Sequence, residues 1–396
     1  MVKLRGNLTD KMEANPGKVH FRRWKAMSIG SRISLVVLIL IVMIAVFANI
    51  LAPHNPLEIF TARQAPDAQF LFGTDDKGRD VLSRMMYGAR YSLIIGLGAT
   101  AFALMQSELF TEMVLIDVDR DRAEGEALDI AHGMPFAGPM NIYAGDYDDA
   151  ADAAIIIVTA GANQQPGETR LDLVHKNVRI FKSIIPEIAQ RDYQGILLVV
   201  SNPVDILTHV ALKLSGMPEN RVIGSGTVLD TARFKYILGE HLGVDPRNVH
   251  ARIIGEHGDS EIAAWSTANV SGIPVNDFCE LRGHFDHDES MQRIAEDVKN
   301  SAYEIIAKKK ATYYGIAMSV KRICEAIVRD EKPILPVSNF QRGVHGLHDV
   351  VLSMPAVVGK DGIEYQVPTP LSDDELARLY ASAETMREVM SGLDLE

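Results

Sequence analysis

Cysteine is scarce in this chain, which has only Cys279 and Cys324 among its 396 residues. Two cysteines cannot form the disulfide framework of a small secreted domain, and they do not supply a cysteine-rich metal site. Their scarcity favours a reducing compartment for the part of the chain that holds them. We therefore expect no metal centre.

Positive charge is scarce beyond the first 32 residues. The full chain has a formal net charge of −12, and residues 1–32 carry a net charge of +6, which leaves −18 on the remainder. Surfaces that bind nucleic acid are strongly basic, so the acidic remainder argues against nucleic acid as a partner. The composition is otherwise that of a globular protein, and the length suggests about two structural units.

Long uncharged runs are also rare, and the longest lies near the N terminus. Residues 33–52 contain no charged side chain, and a helix of that length spans about 30 Å, the thickness of the hydrocarbon core. We interpret the run as a transmembrane helix rather than a signal peptide, whose apolar region is shorter. The basic flank before it predicts a cytoplasmic N terminus.

Residues 72–93 contain the pattern FGTD-x-x-GRD-x-x-SR-x-x-YGAR-x-SL. This pattern resembles the permease subunit of ABC transporters for peptides and nickel. The resemblance covers about residues 1–100 and implies attachment to a membrane. In such permeases several transmembrane helices follow, but here only residues 91–107 could form a second apolar helix. The transport core is therefore missing.

After residue 101, short runs rich in Val and Ile alternate with amphipathic helical stretches. The runs are residues 113–119, 153–162, 195–203 and 221–227. Buried strands separated by helices predict a doubly wound parallel α/β sheet, in which ligands bind at the carboxyl ends of the strands. A further helix is predicted over residues 228–243, with Gly243 at its end.

Polar residues at these positions indicate a dinucleotide site and a proton-transfer site. Asp117 ends the first run, where a carboxylate can bind the ribose hydroxyls of NAD or can simply cap a helix. Asp230 and Arg233 are three residues apart and share a helix face. His257 follows Asp230 by 27 residues on a glycine-flanked turn. A carboxylate on one imidazole nitrogen would leave the other nitrogen free for proton transfer.

Five motifs extend from this region to the C terminus: AGANQQPGETRLDLV, VVSNPVDILTHV, SGTVLDTARF, IIGEHGDSE and KKKATYYGIAMS. Together they resemble L-lactate dehydrogenase. The resemblance implies an NAD-binding Rossmann-like domain over residues 101–227 and an α+β substrate domain over residues 228–396. It also implies a cytoplasmic homotetramer that interconverts pyruvate and lactate with NAD. The alternative is a truncated permease that carries a catalytically impaired dehydrogenase.

The resemblance assigns roles to individual residues. His257 would be the general acid and base, Asp230 would orient it, and Arg233 would bind the substrate carboxylate through two parallel hydrogen bonds. Arg170 would reach the reacting carbonyl from a closing loop. The other implied contacts are Gln164, Asn202 and Thr312 for the substrate, and Arg122, Tyr147, Gly161, Ala162, Asn202 and Ser225 for the cofactor.

Two positions bear on specificity and regulation. Related malate dehydrogenases have Arg where this chain has Gln164, and a neutral amide favours pyruvate over oxaloacetate. Lys235 and His250 match the positions at which bacterial relatives bind fructose 1,6-bisphosphate at a subunit interface. Lys235 stands where the family has Arg.

The pattern breaks at the start of the dehydrogenase region. The family begins with a strand and a G-x-G-x-x-G loop that binds the pyrophosphate, whereas permease-like sequence occupies that place here. The nearest substitute is Gly96-Leu97-Gly98-Ala99-Thr100-Ala101, which predicts Gly96 and Gly98 as cofactor-binding residues. Residues 91–107 cannot be both a membrane helix and the first strand with its loop.

Overall fold

The fold is described from a computed structural model. It describes residues 53–54, 58, 60–67, 69–75, 78–81, 83, 95–162, 170–309 and 311–393. The chain divides into two compact units, Met1–Ser92 and Leu93–Glu396. The membrane span predicted over residues 33–52 lies outside the described residues. Within the described ranges, no helix is both long enough and apolar enough to cross a membrane.

In the first unit, the permease-like motif residues bind one another. Arg79 Nε donates to Asp75 Oδ2 at 2.9 Å. Asp80 is buried and accepts a hydrogen bond from Ser83 Oγ at 2.5 Å, while Ser83 Oγ accepts one from the backbone of His54. The motif therefore builds a small hydrogen-bonded loop structure.

The second unit alternates helices and strands. The helices are α1 (Ile95–Met105), α2 (Arg120–Ala131), α3 (Arg170–Ala189), α4 (Val204–Ser215), α5 (Val228–Leu242), α6 (Val275–Leu281), α7 (His287–Lys309), α8 (Tyr314–Val328) and α9 (Asp373–Ser391). The strands are β1 (Glu112–Leu115), β2 (Asn141–Ala144), β3 (Ile155–Val158), β4 (Ile196–Val199), β5 (Val222–Gly224), β6 (Val249–His250), β7 (Ile253–Ile254), β8 (Ile262–Ala263), β9 (Asn269–Val270), β10 (Ile273–Pro274), β11 (Ile334–Arg342), β12 (His348–Gly359) and β13 (Gly362–Gln366).

The main sheet has six strands in the order β13-β12-β11-β5-β4-β3. Strands β3, β4 and β5 are parallel, and β11, β12 and β13 continue the sheet in antiparallel fashion. All four residues of β4 are buried, and alternate side chains of β4 belong to two different core clusters. Helices α3, α4 and α9 cover one face, and α8 covers the other. This arrangement confirms a Rossmann-type α/β fold with helices on both sides of the sheet.

The predicted doubly wound sheet is not continuous in the described residues, which corrects the expectation of a single sheet. Strands β1 and β2 form a separate parallel pair. Each edge of such a pair needs another strand to satisfy its backbone groups. The sequence that would supply the intervening strand in the family is replaced here by permease-like residues.

The described part of residues 91–107 forms helix α1, and residues 91–94 lie outside the described residues. Its 11 residues span about 16 Å, too short to cross a bilayer. Leu104 is buried in the core cluster that includes α8, and Ala101 and Met105 are buried with residues of α2. The described residues of this segment therefore pack as a short helix within the second unit.

Helix α5 begins and ends as its sequence predicts. It covers Val228–Leu242, and Gly243 adopts the left-handed conformation at its end, with φ of 66°. The buried residues of α5, including Phe234 and Leu238, pack in a third cluster with β6, β7, β8 and α7. This packing fixes the helix face that carries Asp230.

Candidate active site

The centre of the candidate site is a hydrogen-bonded chain of His257, Asp230 and Arg233. His257 Nδ1 lies 2.5 Å from Asp230 Oδ2, and Arg233 donates to Asp230 Oδ1 at 2.7 Å. The Asp230 side chain is only 3% exposed, whereas that of His257 is 23% exposed. The structure therefore brings together the three residues that the sequence placed in one site. One imidazole nitrogen is held by the carboxylate, and the other remains available for proton transfer.

The charges around His257 favour its protonated form. Burial by itself would lower the pKa of His257, but the carboxylate of Asp230, together with Asp205 and Glu261, raises that pKa to about 9. Burial opposes ionisation of Asp230 as well, yet His257 and then Arg233 hold the pKa of Asp230 below its usual value. At neutral pH the site therefore contains a protonated imidazole beside an ionised carboxylate.

Glu261 is a residue that the sequence interpretation did not identify. It follows the His257 turn and begins the approach to β8, and its Oε1 atom is buried without a hydrogen-bond partner. Burial, with repulsion from Asp230, raises the pKa of Glu261 to about 8. Glu261 is a single acidic residue in a segment without a regular spacing of polar and apolar residues, so the sequence pattern did not distinguish it from its neighbours.

The cofactor side of the site is organised by Asn177, which was also not predicted. This buried residue on α3 accepts a hydrogen bond from Ala162 N at 2.7 Å and donates to Asn202 O at 2.7 Å. It thereby ties together the chain that follows β3 and the chain that follows β4. The available signal was an amide on the apolar stripe of a helix, between Val174 and Phe181.

The glycine at 161 has space around it. A Cβ atom there would meet Asn177 and Ser201 only at 3.5–3.6 Å, which is ordinary contact. Contacts within the protein therefore do not require glycine at position 161. The free space beside its backbone is compatible with close approach of a ligand. Ser225 is buried just after β5, where its N–H donates to Val199 O at 2.8 Å. These residues lie at the carboxyl ends of β3, β4 and β5, where a Rossmann-type sheet binds its ligand, and their roles in NAD binding remain predictions.

The remaining predicted cofactor residues, of which Asp117 is expected to bind the adenosine ribose, lie on separate elements. Asp117 follows β1 and accepts a hydrogen bond from Asp119 N at 2.9 Å. Arg122 lies in the first turn of α2. Tyr147 packs against the core beside α3, with the Arg191 guanidinium 5.7 Å from its ring centroid. Their parts in cofactor binding remain predictions.

Gly96 and Gly98, predicted to lie in a pyrophosphate loop, lie instead in the first turn of helix α1. The N–H groups of a first helical turn have no partner within the helix, so the part of these glycines in cofactor binding remains a prediction. A Cβ atom at Gly98 would meet Glu126 Oε2 at 2.8 Å, so that this carboxylate packs against the first turn of α1.

Three predicted substrate residues are only partly located. Gln164 lies outside the described residues. Arg170 is the first described residue of α3, directly after that gap. Thr312 is half-buried in the segment before α8. Their proximity to His257 remains a prediction.

Lys235 and His250 line one open groove of about 350 Å³, together with Arg252 and Arg322. Burial, and then the neighbouring Arg252, lower the pKa of Lys235. The structure therefore brings together the two residues predicted for the sugar bisphosphate and adds two arginines.

A Rossmann-type sheet with a histidine–aspartate pair beside an arginine defines the class of NAD-dependent hydroxy-acid dehydrogenases. Two family models match the second unit: the lactate/malate dehydrogenase NAD-binding domain over residues 93–224 and the alpha/beta C-terminal domain over residues 227–393. The chain belongs to the lactate/malate dehydrogenase family. The N-terminal TM domain of oligopeptide transport permease C matches residues 30–69.

Individual relatives agree with this assignment. The chain is 54% identical over 306 residues to an L-lactate dehydrogenase of Acetivibrio thermocellus, covering 76% of this chain and 96% of the relative. It is 52% identical over 299 residues to that of Thermoanaerobacterium saccharolyticum, covering 75% and 96%. A solved structure, the minor L-lactate dehydrogenase of Enterococcus mundtii in a ligand-bound form, is 42% identical with a TM-score of 0.73, covering 76% of this chain and 95% of that one.

Proposed function

We propose that this protein is an L-lactate dehydrogenase, which reduces pyruvate to (S)-lactate with NADH and catalyses the reverse reaction. The observation that carries the proposal is the His257–Asp230–Arg233 chain, since it combines a proton donor with a cation for the substrate carboxylate. The family membership and the named relatives support the same reaction. Oxidation of NADH on addition of pyruvate, followed by its absorbance, tests the proposal.

Each of the predicted site residues has a separate role in the proposed reaction. Arg233 binds and orients the carboxylate of pyruvate, and protonated His257 donates its proton to the carbonyl oxygen. Asp230 holds the imidazole orientation and stabilises its positive charge. Arg170 would polarise the carbonyl and help to exclude water when its loop closes. When bound, NADH supplies the hydride, and Asn202 and Ala162 would hold its nicotinamide end.

Gln164→Arg is expected to shift the preference from pyruvate towards oxaloacetate. An arginine would pair the second carboxylate of oxaloacetate, which a neutral amide leaves unpaired at a cost of several kcal/mol. We expect the ratio of kcat/KM for oxaloacetate over pyruvate to rise by about a hundredfold or more. Steady-state kinetics with both acids measures this ratio.

The matched control for this experiment is Gln165→Arg, which adds the same charge at the neighbouring position. It should leave the ratio within a few-fold of that of the unaltered protein. An unchanged ratio in Gln164→Arg would refute the assignment of position 164 to substrate selection. Equal shifts in both variants would indicate a general electrostatic effect.

We further propose that the groove lined by Lys235 and His250 binds fructose 1,6-bisphosphate at an interface of a homotetramer. The clustering of four basic side chains in that groove supports this idea. Fructose 1,6-bisphosphate should lower the KM for pyruvate several-fold, and the double variant Lys235→Ala/His250→Ala should lose this response. Lys213→Ala, an exposed lysine on α4, serves as the control. A response that survives in the double variant would place the effector elsewhere.

The organisation of the whole chain is also a proposal. Residues 1–100 would form the permease-like segment, with a membrane helix over residues 33–52 that attaches the dehydrogenase to the bilayer. Residues 101–227 and 228–396 would form its cofactor and substrate domains. The uncharged run and the permease match over residues 30–69 support the membrane helix. Fractionation separates this arrangement from a soluble enzyme.

A further inference from the structure

Asp205 is a carboxylate that the proposed reaction does not use. It lies in the first turn of α4, directly after β4, and is 1% exposed. Its Oδ2 accepts a hydrogen bond from the backbone N–H of His257 at 2.7 Å, and its Oδ1 accepts one from Ser353 Oγ at 2.8 Å. Burying a carboxylate is costly unless hydrogen bonds compensate. Here both oxygens have partners, and one of them is the backbone of the proposed proton donor.

Three consecutive residues of the turn that carries His257 are each held by hydrogen bonds to other elements. Gly255 and Ser353 exchange two backbone hydrogen bonds of 2.9 Å each, and Glu256 N donates to Ser382 Oγ at 3.2 Å. Asp205 binds the next N–H in the chain. Ser353 therefore contacts both the start of the turn and the carboxylate that holds its centre, so that β12 supports the turn.

The same short segment connects this turn to the cofactor side. Asn202 lies three residues before Asp205, and its carbonyl oxygen is held by Asn177. In residues 202–205, Asn202 thus lies at the predicted nicotinamide position, and Asp205 binds the backbone of His257. Proton and hydride must reach adjacent atoms of one carbonyl group, so the relative position of these two ends matters for the rate.

We propose that Asp205 is a positioning residue that holds the backbone of His257 in register with the Asn202 segment and contributes negative charge to the imidazole. This inference rests on the proposed role of His257 as proton donor. The other charged groups that act on His257 are Asp230 on α5 and Glu261 on its own turn. Arg233 on α5 pairs with Asp230, Lys299 on α7 acts on Glu261, and Glu256 is the buried neighbour of His257 in the chain. Asp205 differs from them because it binds the backbone and not the ring.

The test compares Asp205→Asn with Asp205→Ala in the full chain. The asparagine can still accept from His257 N–H through its carbonyl oxygen and can donate to Ser353 Oγ, but it carries no charge. Alanine loses the acceptor and the charge. Amide hydrogen exchange at His257 should remain slow in Asp205→Asn and accelerate at least about tenfold in Asp205→Ala, with the amide of Gly255 as the internal control.

Titration of the His257 ring by NMR provides the second readout, with His257→Asn used to assign the resonance. Both variants should titrate at least about half a pH unit lower than the unaltered protein, because an anion near the imidazole is lost. Ser353→Ala, which removes one side-chain partner of Asp205 and leaves its charge and the His257 N–H in place, should leave the titration within about 0.2 unit. Neither measurement needs bound NADH or turnover, so a chain without dehydrogenase activity would still decide this proposal.

Catalysis supplies the third readout where turnover is measurable. Asp205→Ala should lower kcat by about ten- to a hundredfold with little change in the Kd for NADH, and Asp205→Asn should recover most of this loss at its own pH optimum. Unchanged exchange at His257 in Asp205→Ala, or an unchanged titration in Asp205→Asn, would overturn the proposal. If Asp205→Ala does not fold, Asp205→Asn decides the proposal: a titration lowered by about half a pH unit with slow exchange at His257 supports it, and an unchanged titration overturns it.

Discussion

Replacing residues 1–100 with a lactate-dehydrogenase strand and an intact G-x-G-x-x-G loop is expected to tighten NADH binding by roughly two to four orders of magnitude. The physical reason is that permease-like sequence stands in place of the strand and the full glycine loop that bind the pyrophosphate in the family, and Gly96 and Gly98 lie in the first turn of helix α1 rather than in such a loop. Each charge-assisted hydrogen bond from a loop amide contributes about 1.5–3 kcal/mol, and two such bonds account for the expected factor. Fluorescence titration with NADH measures both dissociation constants.

The expected gain depends on the loop and not only on the removal of the permease-like segment. The control is therefore the same replacement with the first two loop glycines changed to alanine, which should bind NADH nearly as weakly as the original chain. The new strand should also join β1 to β3, so the thermal stability of the second unit should rise. Comparable dissociation constants in the original and replaced proteins would mean that residues 91–101 already supply the pyrophosphate site.

His257→Ala is expected to lower kcat for pyruvate reduction by about a thousandfold or more, because no other group would donate the proton. In the unaltered protein the raised pKa of about 9 predicts a simple pH dependence. Reduction requires protonated His257, so its rate should fall as the pH rises through about 9. Lactate oxidation requires the neutral ring, so its rate should rise over the same interval.

Stopped-flow or steady-state kinetics at saturating NADH checks this result, with the strand-and-loop replacement as the background if the original chain binds NADH too weakly. His348→Ala, an exposed histidine on β12, is the matched control and should keep its kcat. Near-normal turnover in His257→Ala would show that another group supplies the proton. A pH profile that is flat between 7 and 10 would contradict the assignment of the raised pKa to catalysis.

The sequence predicted strands and helices correctly where the pattern of apolar residues is compatible with only one kind of element. The strand-length runs overlap β1 and contain β3, β4 and β5, and helix α5 ends where Gly243 permits a left-handed backbone. The pairing of Asp230 with His257 followed from the motifs that carry them. The segment around Gly96 was ambiguous, because small apolar residues suit a membrane helix, a packed helix or a glycine loop.

Motifs and composition by themselves determined the family, the class of reaction and the three residues at its centre, because these depend on residue types at set spacings along the chain. Only the tertiary structure decided that residues 95–105 form a helix packed on α2 and α8, and that β1 and β2 stand apart from the main sheet. A helix satisfies its backbone hydrogen bonds locally, whereas a central strand requires partners on both sides. It also decided the contacts of Asp205, whose partners lie 52 and 148 residues away in sequence. Such contacts arise where packed layers meet, and no periodicity along the chain records them.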